Sequence, residues 1–129
     1  MLKTGILNPG INSLLSRVRH TNTLVIADRG FPFWPQIETI DISLTDDIPR
    51  VLDVLKAIRA NFNIGNVFMA EEFHLKNGPE TCREFELALA GIPLAFEHHV
   101  EFKKRVPKAI GLIRTADTTQ YANMLLESA

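Results

Sequence analysis

The residues best suited to chemistry in this chain sit where an apolar strand or helix ends and a loop begins. His20 stands between a first helical pattern and a first strand, and an imidazole titrates near neutral pH and can both give and take a proton. Taken alone, its position fits a helix-end histidine held by the helix dipole better than it fits a catalyst. Asp28 closes the first strand, where it can accept hydrogen bonds from hydroxyl groups or simply form the turn before Arg29-Gly30. Glu71-Glu72 and His98-His99 follow two later apolar runs. Neighbours in an extended strand point to opposite faces, so neither pair converges easily on one metal ion or one substrate atom. With no HxH, HExxH or CxxC spacing, no metal site is expected. No GxSxG, GxGxxG or Walker pattern occurs, so neither a serine nucleophile nor a nucleotide cofactor is expected. Gln120-Tyr121-Ala122-Asn123 carries a phenol and an amide suited to hydroxyl groups, though on its own it is just a polar strand entrance, and Phe31, Phe33 and Trp34 crowd one Pro-containing loop, as stacking faces or a subunit contact.

Those positions have to be held by a scaffold, and 129 residues with 46% hydrophobic content suffice for one domain over residues 1–129 with a real core. The pattern alternates strand and helix. Asn8 and Pro9 open a helix with Ile11, Leu14, Leu15 and Val18 on one face. Thr23 to Ala27 is a continuous apolar strand of the doubly buried kind, and Ile37 to Ile42 alternates as a strand. Asp47 precedes a helix that places Ile48, Val51, Leu55, Ile58 and Phe62 on one face and closes at Asn63 and Gly65. Asn66–Ala70 and Pro93–Glu97 read as strands, Pro79–Ala90 and Val100–Val106 as helices, and Ala109–Arg114 and Tyr121–Leu126 as closing strands. The expected fold is a three-layer α/β/α domain around a largely parallel sheet of about six strands. Ligands of such sheets bind beyond the carboxyl ends of the strands.

Net charge is -1, from 14 Lys plus Arg against 15 Asp plus Glu, which argues against nucleic acid as a partner. One cysteine, Cys82, precludes an internal disulfide and reads as a small apolar side chain in a helix. The opening MLKTGILNPG lacks the apolar run of a signal peptide, and nothing approaches the ~20 apolar residues of a membrane span. A cytoplasmic setting without membrane insertion is expected.

The order of these fragments carries more than any one of them. Gly5-Ile6-Leu7-Asn8, His20-Thr21-Asn22-Thr23-Leu24-Val25 running on to Asp28-Arg29-Gly30, Ile40-Asp41, Ala70-Glu71-Glu72, His99-Val100-Glu101-Phe102-Lys103, Ile113-Arg114-Thr115 and Tyr121 to Leu126 together resemble the D-ribose pyranase and L-fucose mutarotase family (the RbsD/FucU type), more closely its ribose branch. The resemblance implies an RbsD-like fold and a cofactor-free isomerase that interconverts cyclic forms of a monosaccharide such as D-ribose. It implies His20 as the catalytic proton donor, and Asp28, His99, Tyr121, Ala122 and Asn123 as substrate-binding positions. It further implies a ring-shaped homo-oligomer, pentamer or decamer, with sites near subunit contacts. The alternatives are a non-catalytic monosaccharide-binding or regulatory protein of sugar uptake, and a metal-dependent hydrolase or lyase using His20, Asp28 and a later histidine.

Overall fold

In a computed structural model describing residues 1–129, strands β1 (Thr23–Ala27), β2 (Glu38–Asp41), β3 (Ile64–Ala70), β4 (Leu94–Glu97), β5 (Gly111–Arg114) and β6 (Met124–Ser128) form one sheet in the order β2-β5-β1-β6-β3-β4. β1, β2 and β5 are parallel, as are β3 and β4, and β6 runs antiparallel between β1 and β3. Five strands therefore end at one edge of the sheet, where β6 begins. The expected largely parallel six-stranded sheet is present; the reversed strand sits inside it.

Helices α1 (Pro9–Arg17), α2 (Val51–Arg59), α3 (Glu72–Lys76), α4 (Pro79–Ala88) and α5 (His99–Arg105) complete the single domain. The Asn8 side chain accepts from Ile11 N at 3.0 Å, so α1 starts where its cap residue and Pro9 place it. Leu24 and Ile26 of β1, Ile113 of β5 and Met124 and Leu126 of β6 face α1, α2 and α4 through Leu14, Leu55, Ile58 and Phe85. The alternate residues Val25, Ala27, Leu112 and Leu125 face Phe102 of α5 and Val106, which directly follows it. Gly111 lets α1 come this close: a Cβ there would lie 2.6 Å from Leu14 Cδ1, and Leu14 is fully buried.

Several boundaries differ from the sequence expectation; the second helix stops at Arg59, short of Phe62, and Gly65, expected to close it, lies in β3. The second helix begins at Val51 rather than beside Asp47, because the chain first folds into a tight turn in which the Ile48 N–H donates to the Thr45 carbonyl at 2.9 Å; Ile48 is left exposed. Glu72–Lys76 forms the short helix α3, which a five-residue pattern does not announce. β6 begins at Met124, since Tyr121 turns the chain with φ 56° before the strand starts. Cys82 lies half-buried in α4.

Candidate active site

The buried polar side chains of the fold are Asp28, Thr115, Asp117 and Asn123, and all four lie at the edge where the parallel strands end. Asp28 follows β1, and its backbone N–H donates to Asn123 Oδ1 at 2.7 Å. The Gly30 N–H donates to the Asp28 carboxylate at 3.0 Å. Burial pushes the Asp28 carboxyl above its usual 3.8, opposed by the Gly30 and Phe31 N–H groups and the Asn123 side chain, and assisted by the charge of Asp117. Arg114, at the end of β5, donates from Nη1 to the Asp28 carbonyl at 3.0 Å and from Nη2 to the Pro32 carbonyl at 3.1 Å, which fixes the loop after β1.

His99 enters from the opposite layer as the first residue of α5. Its N–H donates to Glu72 Oε2 at 2.9 Å, its ring stacks on Phe102 at 6.2 Å, and Tyr121 meets it edge-on at 5.0 Å. Burial, with Lys103 nearby, holds its imidazole below the usual 6.5, against a smaller pull from Glu72. Its Nδ1 is buried without a hydrogen-bond partner, and a doubly protonated ring would bury an unpaired N–H there. Both observations favour a neutral imidazole at neutral pH.

Asp28, His99, Tyr121 and Asn123 line one cavity of about 520 Å³, shared with Arg29 to Pro32 and Asp117 to Gln120. That volume falls within the ~300–1,000 Å³ of small-molecule sites. The cavity presents carboxylates, an imidazole, a phenol, an amide and hydroxyls, a donor and acceptor set suited to a polyhydroxyl ligand. Its one arginine, Arg29, pairs with Asp46 at 2.6 Å in the exposed rim. Ala122 is fully buried and packs into the core between the two side chains that line the cavity.

His20 lies elsewhere. It is exposed, beyond the end of α1 at Arg17, next to Thr21, whose N–H donates to the Ser128 carbonyl at the far end of β6. A five-residue strand spans about 13 Å at ~3.3 Å per residue, and all of β1 separates His20 from Asp28. Within one chain His20 and the cavity stand at opposite edges of the sheet.

Three further expectations change. Phe31 is buried against Phe102 and Trp34 rather than displayed, and of that loop's aromatic side chains only Phe33 is fully exposed. His98 and His99 are not strand neighbours, because the strand ends at Glu97; His98 precedes α5 and bonds Glu71 through Nδ1 at 3.1 Å. Thr115 entered the sequence analysis only within the Ile113-Arg114-Thr115 fragment, and Asp117 not at all, its sequence signal being a polar turn after an apolar strand.

A sequence model of the RbsD / FucU transport protein family matches residues 1–129. The chain belongs to the RbsD/FucU family. It is 37% identical to the D-ribose pyranase of Geobacillus thermodenitrificans over 99% of this chain and 96% of that one. It is 40% identical to the D-ribose pyranase of Bacillus cereus strain 03BB102 over 99% and 97%. Among solved structures, Bacillus subtilis RbsD complexed with D-ribose superposes with a TM-score of 0.92 at 31% identity, covering 100% of this chain and 98% of that one. The Streptococcus pneumoniae fucose mutarotase in complex with L-fucose shares the fold, with a TM-score of 0.84 at 18% identity over 99% and 98%. As a member of this family the chain is an enzyme of the pyranase and mutarotase kind, an isomerase. No helix is long and apolar enough to cross a membrane.

Proposed function

We propose that this RbsD/FucU chain interconverts the ring forms of a monosaccharide such as D-ribose by cofactor-free acid–base ring opening in the Asp28–His99–Tyr121–Asn123 cavity. In this reading His20 is the proton donor and comes from a neighbouring copy. A pyranose is a cyclic hemiacetal. Opening it removes the anomeric hydroxyl proton and protonates the ring oxygen; a different hydroxyl then recaptures the aldehyde to give the furanose, or the same one gives the other anomer. Atoms and electrons balance without redox chemistry. One positioned proton donor contributes about 10²- to 10⁴-fold, and holding the open chain near its next hydroxyl adds to that.

The observation that carries the reading is the cavity itself: four of the substrate positions implied by the resemblance converge on it from three separate segments of the chain. The separation of His20 supports the second half. A histidine on the far edge of the sheet acts in this cavity only when another copy presents it, as in a closed ring where one surface of each copy meets a different surface of the next. The exposed apolar side chains Phe33, Leu44 and Ile48, on the loops after β1 and β2, supply a surface for that contact. A cytoplasmic setting accords with the single unpaired cysteine.

Exchange spectroscopy between sugar ring forms tests both halves. His20→Ala and Asp28→Asn are each expected to abolish accelerated exchange of ribose, while their co-assembled mixture regains activity at about a quarter of its sites, those combining an intact His20 and an intact Asp28 from adjacent copies. No recovery on co-assembly removes the shared site. Full activity of His20→Ala removes His20 as donor.

A further inference from the structure

Asp117 is 2% exposed, yet it lines the cavity. Its Oδ2 accepts from the Val51 N–H at 2.9 Å, the first residue of the nine-residue helix α2, and its Oδ1 accepts from the Thr119 N–H at 2.8 Å. Its carbonyl accepts from the Arg29 N–H at 3.0 Å, fixing the residue directly after Asp28. Its own N–H donates to Thr115 Oγ1 at 3.2 Å, and that hydroxyl in turn donates to the Ala27 carbonyl at 2.8 Å, directly before Asp28. One buried residue thus grips both flanks of Asp28, the start of α2 and the cavity wall leading to Tyr121.

We propose that Asp117 is a positioning residue of this site, setting the place of Asp28 in the cavity through its backbone bonds and placing a carboxylate in the cavity wall beside it. The inference rests on the ring-opening reading, in which a base must remove the anomeric proton while His20 protonates the ring oxygen. Asp28 is the carboxylate in the cavity whose environment raises its basicity, through burial first and through the charge of Asp117 as well.

A capping role alone does not require a buried carboxylate, because Ser, Thr or Asn caps a helix about as well. A negative charge placed here does what those residues cannot. It sits against two N–H donors and the positive end of α2, in the wall of the cavity, where it opposes ionisation of Asp28. The other charged and titratable groups around Asp28 are Arg114 from β5, Arg29 in its own loop, tied to Asp46, and His99 and Tyr121 across the cavity. Asp117 is the acidic residue whose charge raises Asp28.

Asp117→Asn keeps the size but offers one oxygen to two N–H donors and removes the charge. It is expected to lower kcat/KM for ribose ring exchange by about 10²-fold, the effect of a ~1 Å misplacement at a reacting centre, and to move the carboxyl titration of Asp28, followed by carbon NMR, to lower pH. Thr115→Val releases the Asp117 backbone and leaves its charge in place. It is expected to lower kcat/KM about tenfold, the value of roughly one hydrogen bond, with the Asp28 titration unmoved.

An Asp117→Asn protein with wild-type exchange, or with Asp28 titrating as in the wild type, overturns the proposal. If that variant does not fold, Thr115→Val decides: wild-type kcat/KM overturns the proposal, and the tenfold loss supports it. The Asp28 titration needs no substrate. A wild-type protein that accelerates exchange of no sugar therefore defeats the functional reading, while the titration still judges Asp117.

Discussion

Truncating Asn123 to alanine removes the group that joins β6 to Asp28. Asn123 Oδ1 takes the Asp28 N–H at 2.7 Å, and Asn123 is 3% exposed, so water cannot readily replace it. Leaving that buried donor unpaired costs about 1–3 kcal/mol. A chain of 129 residues has an unfolding entropy of about 0.27 kcal/mol/K at ~2.1 cal/mol/K per residue. The expected fall in apparent Tm is therefore about 4–11 °C, read at one fixed protein concentration. The Asn123 side chain also lowers the Asp28 pKa, so its loss sends that carboxyl further up. Carbon NMR of the Asp28 carboxyl reads the shift and a thermal melt reads the stability. An Asn123→Ala protein that melts with the wild type, with Asp28 titrating unchanged, would show that this hydrogen bond neither supports the fold nor tunes the site.

Other expectations follow from the same contacts. Gly111→Ala drives a Cβ into Leu14, 2.6 Å away in a closed core, and is expected to cost about 1–3 kcal/mol in a urea melt. Asp28 binds its proton more tightly folded than unfolded, so its contribution to stability is greatest at acid pH and declines as pH rises through its raised folded pKa. Urea melts of wild type against Asp28→Asn across the acid range should show the wild type losing ground with rising pH. His99 behaves oppositely: its folded pKa is depressed, so its contribution is present above 6.5 and lost as pH falls through that folded pKa, and the advantage of wild type over His99→Gln should shrink on acidification. Arg29→Ala breaks an ion pair whose side chains are 58% and 65% exposed, and a melt should register at most about 1 kcal/mol.

The elements were legible in the sequence where one periodicity held long enough to dominate. Thr23 to Ala27 is an unbroken apolar run and became a strand buried on both faces. Asn8 and Pro9 marked a helix start that α1 observes. Strand direction leaves no such mark: Met124-Leu125-Leu126 reads alike parallel or antiparallel, and its reversal follows from the turn at Tyr121. Asp47 was expected directly before the second helix, but its carboxylate accepts from the Thr118 N–H at 2.9 Å across the loops, a partner 71 residues away that local pattern cannot supply. The site was legible in the same uneven way. Asp28, His99, Tyr121 and Asn123 had meaning only as an ordered set, and they share one cavity. Asp117 and Thr115 act through main-chain partners, which leave no imprint on residue type. The distance from His20 to that cavity is a property of the folded chain, set by the length of β1.

The reversed strand also constrains how the molecule comes into being. β6 is the last strand in sequence, yet it is the seam between the β2-β5-β1 half of the sheet and the β3-β4 half. On the ribosome, both halves emerge before the segment that joins them. Until residues 124–128 arrive, β1 and β3 each present an open edge, the kind of surface that pairs with the wrong chain. The cavity depends on the same late event, because Tyr121 and Asn123 immediately precede the strand that closes the seam. Closure of the sheet and completion of the cavity are thus one step, and the cavity takes shape only after both halves of the sheet have been made.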